Sequence, residues 1–157
     1  YPKRVYSLSL LSTAAYRQNE DKQKIIDIIQ SIKDQGIYKV LPKLINRWFT
    51  DDFISQNKNV IKNRMNQVYE TDLATFLNVF NIYAITEMSS WLHEINLPSL
   101  IMTGENDEGC NPQLNKKIAG AISKSQLVIL KNLKHTITLE SPELVGIKIR
   151  EFLEKIK

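Results

Sequence analysis

The sequence predicts an α/β fold, in which a parallel sheet is flanked by helices and interrupted by an all-helical insertion. Three apolar runs, RVYSLSLL, SLIMT and QLVIL, have the length and composition of strands. Each of the last two is followed by a helical pattern, the order that parallel strands require. Between the first and second runs, apolar residues recur at three- and four-residue spacing, as in amphipathic helices.

Three segments follow from these patterns. Residues 1–18 contain a strand at 4–11 that is apolar enough to be buried on both faces. Residues 19–94 predict five helices, with breaks at Gly36 and Pro42; the runs are IIDIIQSIKD, YKVLPKLINRWF, NVIKNRMNQVY, LATFLNVFNIYAI and EMSSWLHEI. Residues 95–157 predict two strand–helix units, the last helix capped by Ser141 and starting at Pro142.

Composition excludes several classes of protein. With 43% hydrophobic and 24% charged residues, the 157-residue chain is typical of a folded globular protein. The net charge of +4 is spread along the chain, so we expect no nucleic-acid partner. A single cysteine cannot form an internal disulfide, and no apolar run approaches the ~18 residues of a membrane span. Since no signal-peptide pattern is present either, the prediction is a cytoplasmic protein without membrane contact.

Two polar loops carry the candidate site. TGENDEGCNP follows the second strand and contains Asp107, with Glu105 and Glu108 as competing carboxylates, and KNLKH follows the third strand and ends in His135. Ligands of parallel α/β sheets bind outside the carboxyl ends of the strands, where these two loops would be neighbours. A carboxylate bonded to one imidazole nitrogen fixes the tautomer and leaves the other nitrogen to act as a base.

These two stretches resemble the C-terminal third of an α/β-hydrolase. The matching residues are Gly104-Glu105-Asn106-Asp107, and His135 followed by Glu140, Pro142 and Glu143. RVYSLSLLSTA resembles the strand after the nucleophile elbow of that family, and the helical segment resembles its cap. Within the cap, VLPKLINRWFTDDF is similar to 3-oxoadipate enol-lactonases.

The resemblance implies a carboxylic ester or lactone as the small-molecule substrate, with His135 as the base and Asp107 as the acid that orients it. It leaves two readings open for Trp48 and Phe49, which would either line a substrate pocket or form the cap's own core. Glu140 is expected to be a structural partner of the final helix.

The sequence departs from the family in two places. The family's nucleophilic serine lies in a Gly-x-Ser-x-Gly turn, whereas the five glycines here, at 36, 104, 109, 120 and 146, flank no serine at that spacing. We therefore expect the cap and C-terminal half of a longer hydrolase, whose missing N-terminal half is a partner of this chain. Asn132 and Lys134 replace glycines that often precede the histidine, and the lysine's charge is expected to lower the pKa of His135.

The remaining chemistry-bearing residues favour simpler roles. Cys110 follows the acid instead of occupying an elbow, so we do not expect it to be the nucleophile. His93 is expected to lie on a polar face. The histidines and the cysteine show no metal-ligand spacing and there is no glycine-rich phosphate loop, so neither a metal nor a cofactor is predicted.

Two alternatives stay open. The chain could be a non-catalytic binding or interaction module that keeps half of the fold, since the nucleophile is not in it. Against this, a sheet cut beside its central strand exposes an edge, which favours aggregation or pairing with another copy. Alternatively, the same fold could support dehalogenase, epoxide hydrolase or lyase chemistry, which an elbow residue other than serine would indicate.

Overall fold

The computed structural model describes residues 2–156 and contains a three-stranded parallel sheet. The strands β1 (Leu8–Leu11), β2 (Ser99–Gly104) and β3 (Ser125–Leu130) lie in that order across the sheet. Ser99 of β2 lies opposite Leu8 on one side and Ser125 on the other. All three carboxyl ends therefore face the same edge, and the predicted α/β class is confirmed.

The described residues form eight α-helices in addition to these strands. Five precede β2: α1 (Asn19–Gln35), α2 (Ile37–Trp48), α3 (Asp51–Gln56), α4 (Lys58–Glu70) and α5 (Leu73–Ile85). The other three are α6 (Pro112–Ala121), α7 (Ile137–Glu140) and α8 (Pro142–Lys155). Short 3₁₀ turns occupy Pro2–Arg4 and Leu92–Glu94. Within the described part of the chain, no helix combines the length and apolarity needed to cross a membrane.

The chain divides into two compact units. Residues Arg17–Thr86 form a helical unit, and the residues up to Tyr16 together with those from Glu87 onward form a sheet unit. The division into 1–18, 19–94 and 95–157 made from the sequence stays a prediction about domains.

The core of the sheet unit lies on both sides of β2, whose six residues are all buried. Side chains alternate along a strand, so Leu100 and Met102 pack on one face and Ile101 on the other. The first face is covered by residues of α7, α8 and β3, namely Leu130, Ile137, Val145 and Phe152. The second is covered by Ala15, Leu92, Ile118 and Ile122. Helices on both faces are what a parallel sheet needs to keep its apolar residues from water.

The helical unit has its own core. Its buried members come from α1, α2, α4 and the residue after α2: Ile32, Val40, Leu41, Leu44, Ile45, Phe49, Ile61 and Val68. The rings of Phe49 and Phe53 stack with centroids 5.4 Å apart. Arg17, at the start of this unit, places its guanidinium 4.3 Å from the centre of the Tyr83 ring.

Three local expectations from the sequence were wrong, and a fourth, the break at Gly36, was confirmed. The first strand begins at Leu8, not at residue 4. It is also not buried on both faces, since Ser9 is exposed, and within the described sheet β1 is an edge strand paired only with β2. The run EMSSWLHEI contains only the 3₁₀ turn at Leu92–Glu94 instead of a fifth regular helix. Pro42 lies inside α2, whose buried face packs well enough to keep the helix continuous. Gly36 does end α1, with a φ of 82° that glycine adopts without strain.

Candidate active site

The loop after β2 is joined directly to the loop after β3. The N–H of Glu105 donates to the Leu130 carbonyl at 2.8 Å, and the N–H of Asn106 donates to the Leu133 carbonyl at 2.9 Å. Gly104 makes this approach possible, since a Cβ at that position would overlap the carbonyl oxygens of Leu133 and Lys134. The glycine of the Gly-x-x-Asp motif is therefore needed for close packing of the two loops.

Asp107 is held from several directions. Its Oδ1 accepts the N–H groups of Gly109 at 2.9 Å and Cys110 at 2.8 Å. Its Oδ2 lies 2.8 Å from Nδ1 of His135, and the Asp107 side chain is only 1% exposed. Thr103, on β2, donates its hydroxyl to the Cys110 carbonyl at 2.8 Å, which holds the same turn. A buried carboxylate with this many donors is fixed in both position and charge.

His135 lies in the loop between β3 and α7. Asn132 adopts a φ of 58°, so an asparagine takes the left-handed conformation that glycine would otherwise supply. The N–H of Lys134 donates to Oε2 of Glu140 at 2.9 Å, so Glu140 supports this loop. The carbonyl of His135 accepts the hydroxyl of Ser12 at 2.7 Å. The His135 side chain is 38% exposed, so its ring can be reached from solvent.

The two side chains change each other's pKa. Burial by itself would lower the pKa of His135, but the hydrogen bond and charge of Asp107, with a smaller contribution from Cys110, raise it from 6.5 to about 10. Burial would raise the pKa of Asp107, but the His135 hydrogen bond and charge and the two backbone N–H donors lower it overall. The expectation that Lys134 would lower the pKa of His135 was wrong, because the directly bonded carboxylate outweighs a neighbouring lysine.

Cys110 lies beside this pair. Ligand atoms of Asp107, Cys110 and His135 lie within 4.8 Å of one another, and these are residue types that bind transition metals. The carboxylate already accepts two backbone N–H groups and the imidazole. We therefore interpret the group as an acid–base pair with a buried thiol next to it.

Of the other predicted residues, Trp48 and Phe49 belong to the helical unit and His93 to the sheet unit. Phe49 is fully buried in the core of the helical unit, and Trp48 is half-buried there with the Arg64 guanidinium 5.6 Å from its ring centre. Their assignment to substrate binding stays a prediction. His93 is exposed on the 3₁₀ turn before β2.

The sequence reasoning did not find the residues that support the pair. Ser12 contacts His135 across 123 positions, Thr103 contacts Asp107 across 4, and Asn115 contacts Cys110 across 5. Single polar residues of this kind form no recognisable motif. In the sequence Gly104 is visible only as the first residue of the Gly-x-x-Asp motif. Its position does indicate its role, because a glycine at the end of a buried strand often marks a place where another backbone approaches closely.

Comparison with solved structures identifies the fold. The enol-lactonase from Burkholderia xenovorans LB400 matches 98% of this chain with a TM-score of 0.89 and 19% identity, over 58% of its own length. MGS-M2, an alpha/beta hydrolase enzyme from a Medee basin deep-sea metagenome library, matches 98% with a TM-score of 0.85 and 16% identity, over 58% of its length. The chain has the α/β-hydrolase fold, which confirms the resemblance noted in the sequence.

Curated sequences point to the same superfamily. The 3-oxoadipate enol-lactonase 1 of Acinetobacter baylyi is 22% identical over 140 residues, which are 89% of this chain and 52% of that protein. Proline iminopeptidase PfmaB of Pestalotiopsis fici is 38% identical over 64 residues, 41% of this chain and 23% of that protein. The chain spans about half the length, or less, of these relatives. No model of a known protein family matches it.

Proposed function

We propose that this chain is the cap and C-terminal half of an α/β-fold hydrolase that cleaves a carboxylic ester or lactone. The observation that carries the proposal is the 2.8 Å hydrogen bond between Asp107 Oδ2 and His135 Nδ1, at the carboxyl edge of the sheet. The similarity to two proteins named enol-lactonase supports the ester or lactone class. A 3-oxoadipate enol-lactone is the substrate to try first.

In the proposed reaction, a serine outside these 157 residues attacks the carbonyl carbon of the substrate. Its proton passes to Nε2 of His135, and the resulting imidazolium keeps its Nδ1–H bonded to Asp107. Collapse of the tetrahedral intermediate breaks the ester bond, and His135 returns the proton to the leaving oxygen. Water then attacks the acyl-enzyme by the same route, releasing the acid and restoring the serine.

The electrostatics of the pair suit this role. The raised pKa of His135 means that the imidazolium formed during attack is strongly stabilised by Asp107. The lowered pKa of Asp107 keeps the carboxylate ionised at neutral pH. The same stabilisation makes the resting base hard to deprotonate, so turnover is expected to increase as the pH rises.

The edge of the sheet supports the second part of the proposal, a partner segment from the same protein. Within the described residues β1 pairs only with β2, so its other side presents free backbone N–H and C=O groups. Such an edge pairs readily with another strand. We place the missing N-terminal half there, next to β1.

The test uses the intact protein with His135→Ala and Asp107→Asn, and turnover of an ester and of an enol-lactone is measured. Both variants are expected to lose activity by orders of magnitude. His93→Ala is the matched control, since His93 is the only other histidine and is exposed. Unchanged turnover in both site variants would refute the proposed mechanism.

A second experiment identifies the nucleophile. The intact protein is treated with an active-site phosphonate, and the labelled peptide is found by mass spectrometry. A labelled serine upstream of Tyr1 is expected. If the folded protein takes no label and carries an aspartate at the elbow position, dehalogenase or epoxide chemistry is indicated instead. A stable dimer of the 157-residue chain without any nucleophile would favour the interaction module.

A further inference from the structure

The turn that follows β1 contacts the base loop. Ser12 continues the β1–β2 ladder by donating its N–H to the Met102 carbonyl at 2.8 Å. Its backbone has a φ of 47°, which is uncommon for a residue other than glycine. From this position its hydroxyl donates to the His135 carbonyl at 2.7 Å. The start of the sheet thereby holds the backbone that carries the base.

The same turn is also connected to the acid loop, through Asn115. This residue lies on α6, is completely buried, and donates its Nδ2 to the Thr13 carbonyl at 3.1 Å and the Cys110 carbonyl at 2.7 Å. Cys110 in turn donates its N–H to Asp107 Oδ1 at 2.8 Å. Asn115 therefore links the turn to the group that holds the acid.

One atom of the buried Asn115 amide lowers the stability of the fold. Its Oδ1 has no hydrogen-bond partner among the described residues, and an unsatisfied buried polar atom typically costs about 1–3 kcal/mol. An apolar side chain would avoid this cost, but it would leave the Thr13 carbonyl without its donor. The NH₂ group is thus the useful part of this side chain.

We propose that Ser12 and Asn115 are positioning residues, which together set the distance and orientation between Asp107 and His135. The turn at Ser12–Thr13 contacts the base loop directly and the acid loop through Asn115, so a shift of either loop would break one of these bonds. Neither residue contacts a reacting atom. The effect on catalysis rests on the hydrolase function proposed above, whereas the effect on the pair's geometry does not.

The test compares Ser12→Ala with Ser12→Gly in the intact protein. Glycine relieves the positive φ while removing the hydroxyl, so it separates the backbone role of residue 12 from its hydrogen bond. Both variants are expected to lower kcat on the order of 10–100-fold, the usual range for residues that orient a functional group from behind. KM is expected to change little. Ser9→Ala, at an exposed position on β1 just before this turn, is the matched control.

A second measurement follows the hydrogen-bonded pair of Asp107 and His135 directly. NMR titration of the His135 ring is expected to show its pKa moving down toward its ordinary value in both Ser12 variants and in Asn115→Leu. The low-field Nδ1–H signal of His135 is expected to weaken. If the variants lower only the melting temperature and leave both the His135 titration and kcat within about twofold, the two residues are merely structural and the proposal is overturned.

Failure of the proposed hydrolase function and failure of the positioning role give different results. If His135→Ala keeps full turnover, the proposed function fails, but the titration of His135 in the Ser12 variants still decides the positioning role. Should Asn115→Leu fail to fold, the two Ser12 variants are sufficient, since they act at a partly exposed turn.

Discussion

Gly104→Ala tests whether close approach of the two loops creates the acid–base pair. The added Cβ would lie far inside contact distance of the Leu133 and Lys134 carbonyl oxygens. Both are backbone atoms, so they cannot rotate away, and the loops must separate by about 1 Å. The Asp107–His135 distance of 2.8 Å would then exceed the usual hydrogen-bond range.

The expected magnitudes follow from this separation. Forcing an extra methyl group into packed surroundings costs about 1–3 kcal/mol of unfolding free energy. A misplacement of about 1 Å in a catalytic group lowers activity by about 10²-fold. Urea unfolding measures the first effect, and ester turnover of the intact protein measures the second.

Gly146→Ala provides the control for Gly104→Ala. Gly146 lies within α8, and no heavy atom would lie within 4 Å of its added Cβ. Alanine in a helix interior is more favourable than glycine by roughly 0.5–1 kcal/mol, so this variant should be slightly stabilised with normal turnover. If Gly104→Ala behaved like Gly146→Ala in both assays, the loops would not depend on the missing side chain and our reasoning would be refuted.

Three further predictions concern the pair and the helical unit. In Asp107→Asn the pKa of the acidic limb of the kcat/KM profile should move from about 10 toward 6.5, because the charge that raises the pKa of His135 is gone. An unchanged pKa of that limb in a pH–rate profile would contradict this. Since folding raises the pKa of His135, the stability it provides is fully present below its unfolded pKa of 6.5 and is lost as the pH rises through about 10. Urea unfolding on both sides of that window should show the loss in the wild type and not in His135→Gln. Phe49→Ala should cost about 3–5 kcal/mol of unfolding free energy because Phe49 is fully buried, whereas Trp48→Ala should cost less. If Phe49→Ala instead raised KM without loss of stability, the pocket assignment would be favoured.

Much of the local structure could be predicted from the sequence because it depends on short-range patterns. The apolar centre of β2 (Leu100, Ile101 and Met102) and the helical period of α1, α2, α4 and α5 indicate which residues face a core. Asp107 and His135 were found as candidates because each directly follows a strand, and parallel strands end at one edge.

The predictions of local structure were wrong where contacts with neighbouring elements determine the backbone conformation. Residues 87–95 have a helical pattern but form mostly turns, and there Leu92 is buried against the sheet core. Pro42 should interrupt α2 by its local chemistry, yet the packing of Leu41, Leu44 and Ile45 keeps the helix intact. In each case long-range burial outweighs the local preference.

The sequence by itself determined the order of the strands, the fold class, and the two candidate site residues Asp107 and His135. Only the tertiary structure decided how those residues are held. Ser12 reaches His135 across 123 positions, Asn115 joins the turn after β1 to the acid loop, and Gly104 allows two backbones to touch. Hydrogen bonds and close packing act through space and leave no periodic trace along the chain, which is why the supporting residues appear only once it has folded.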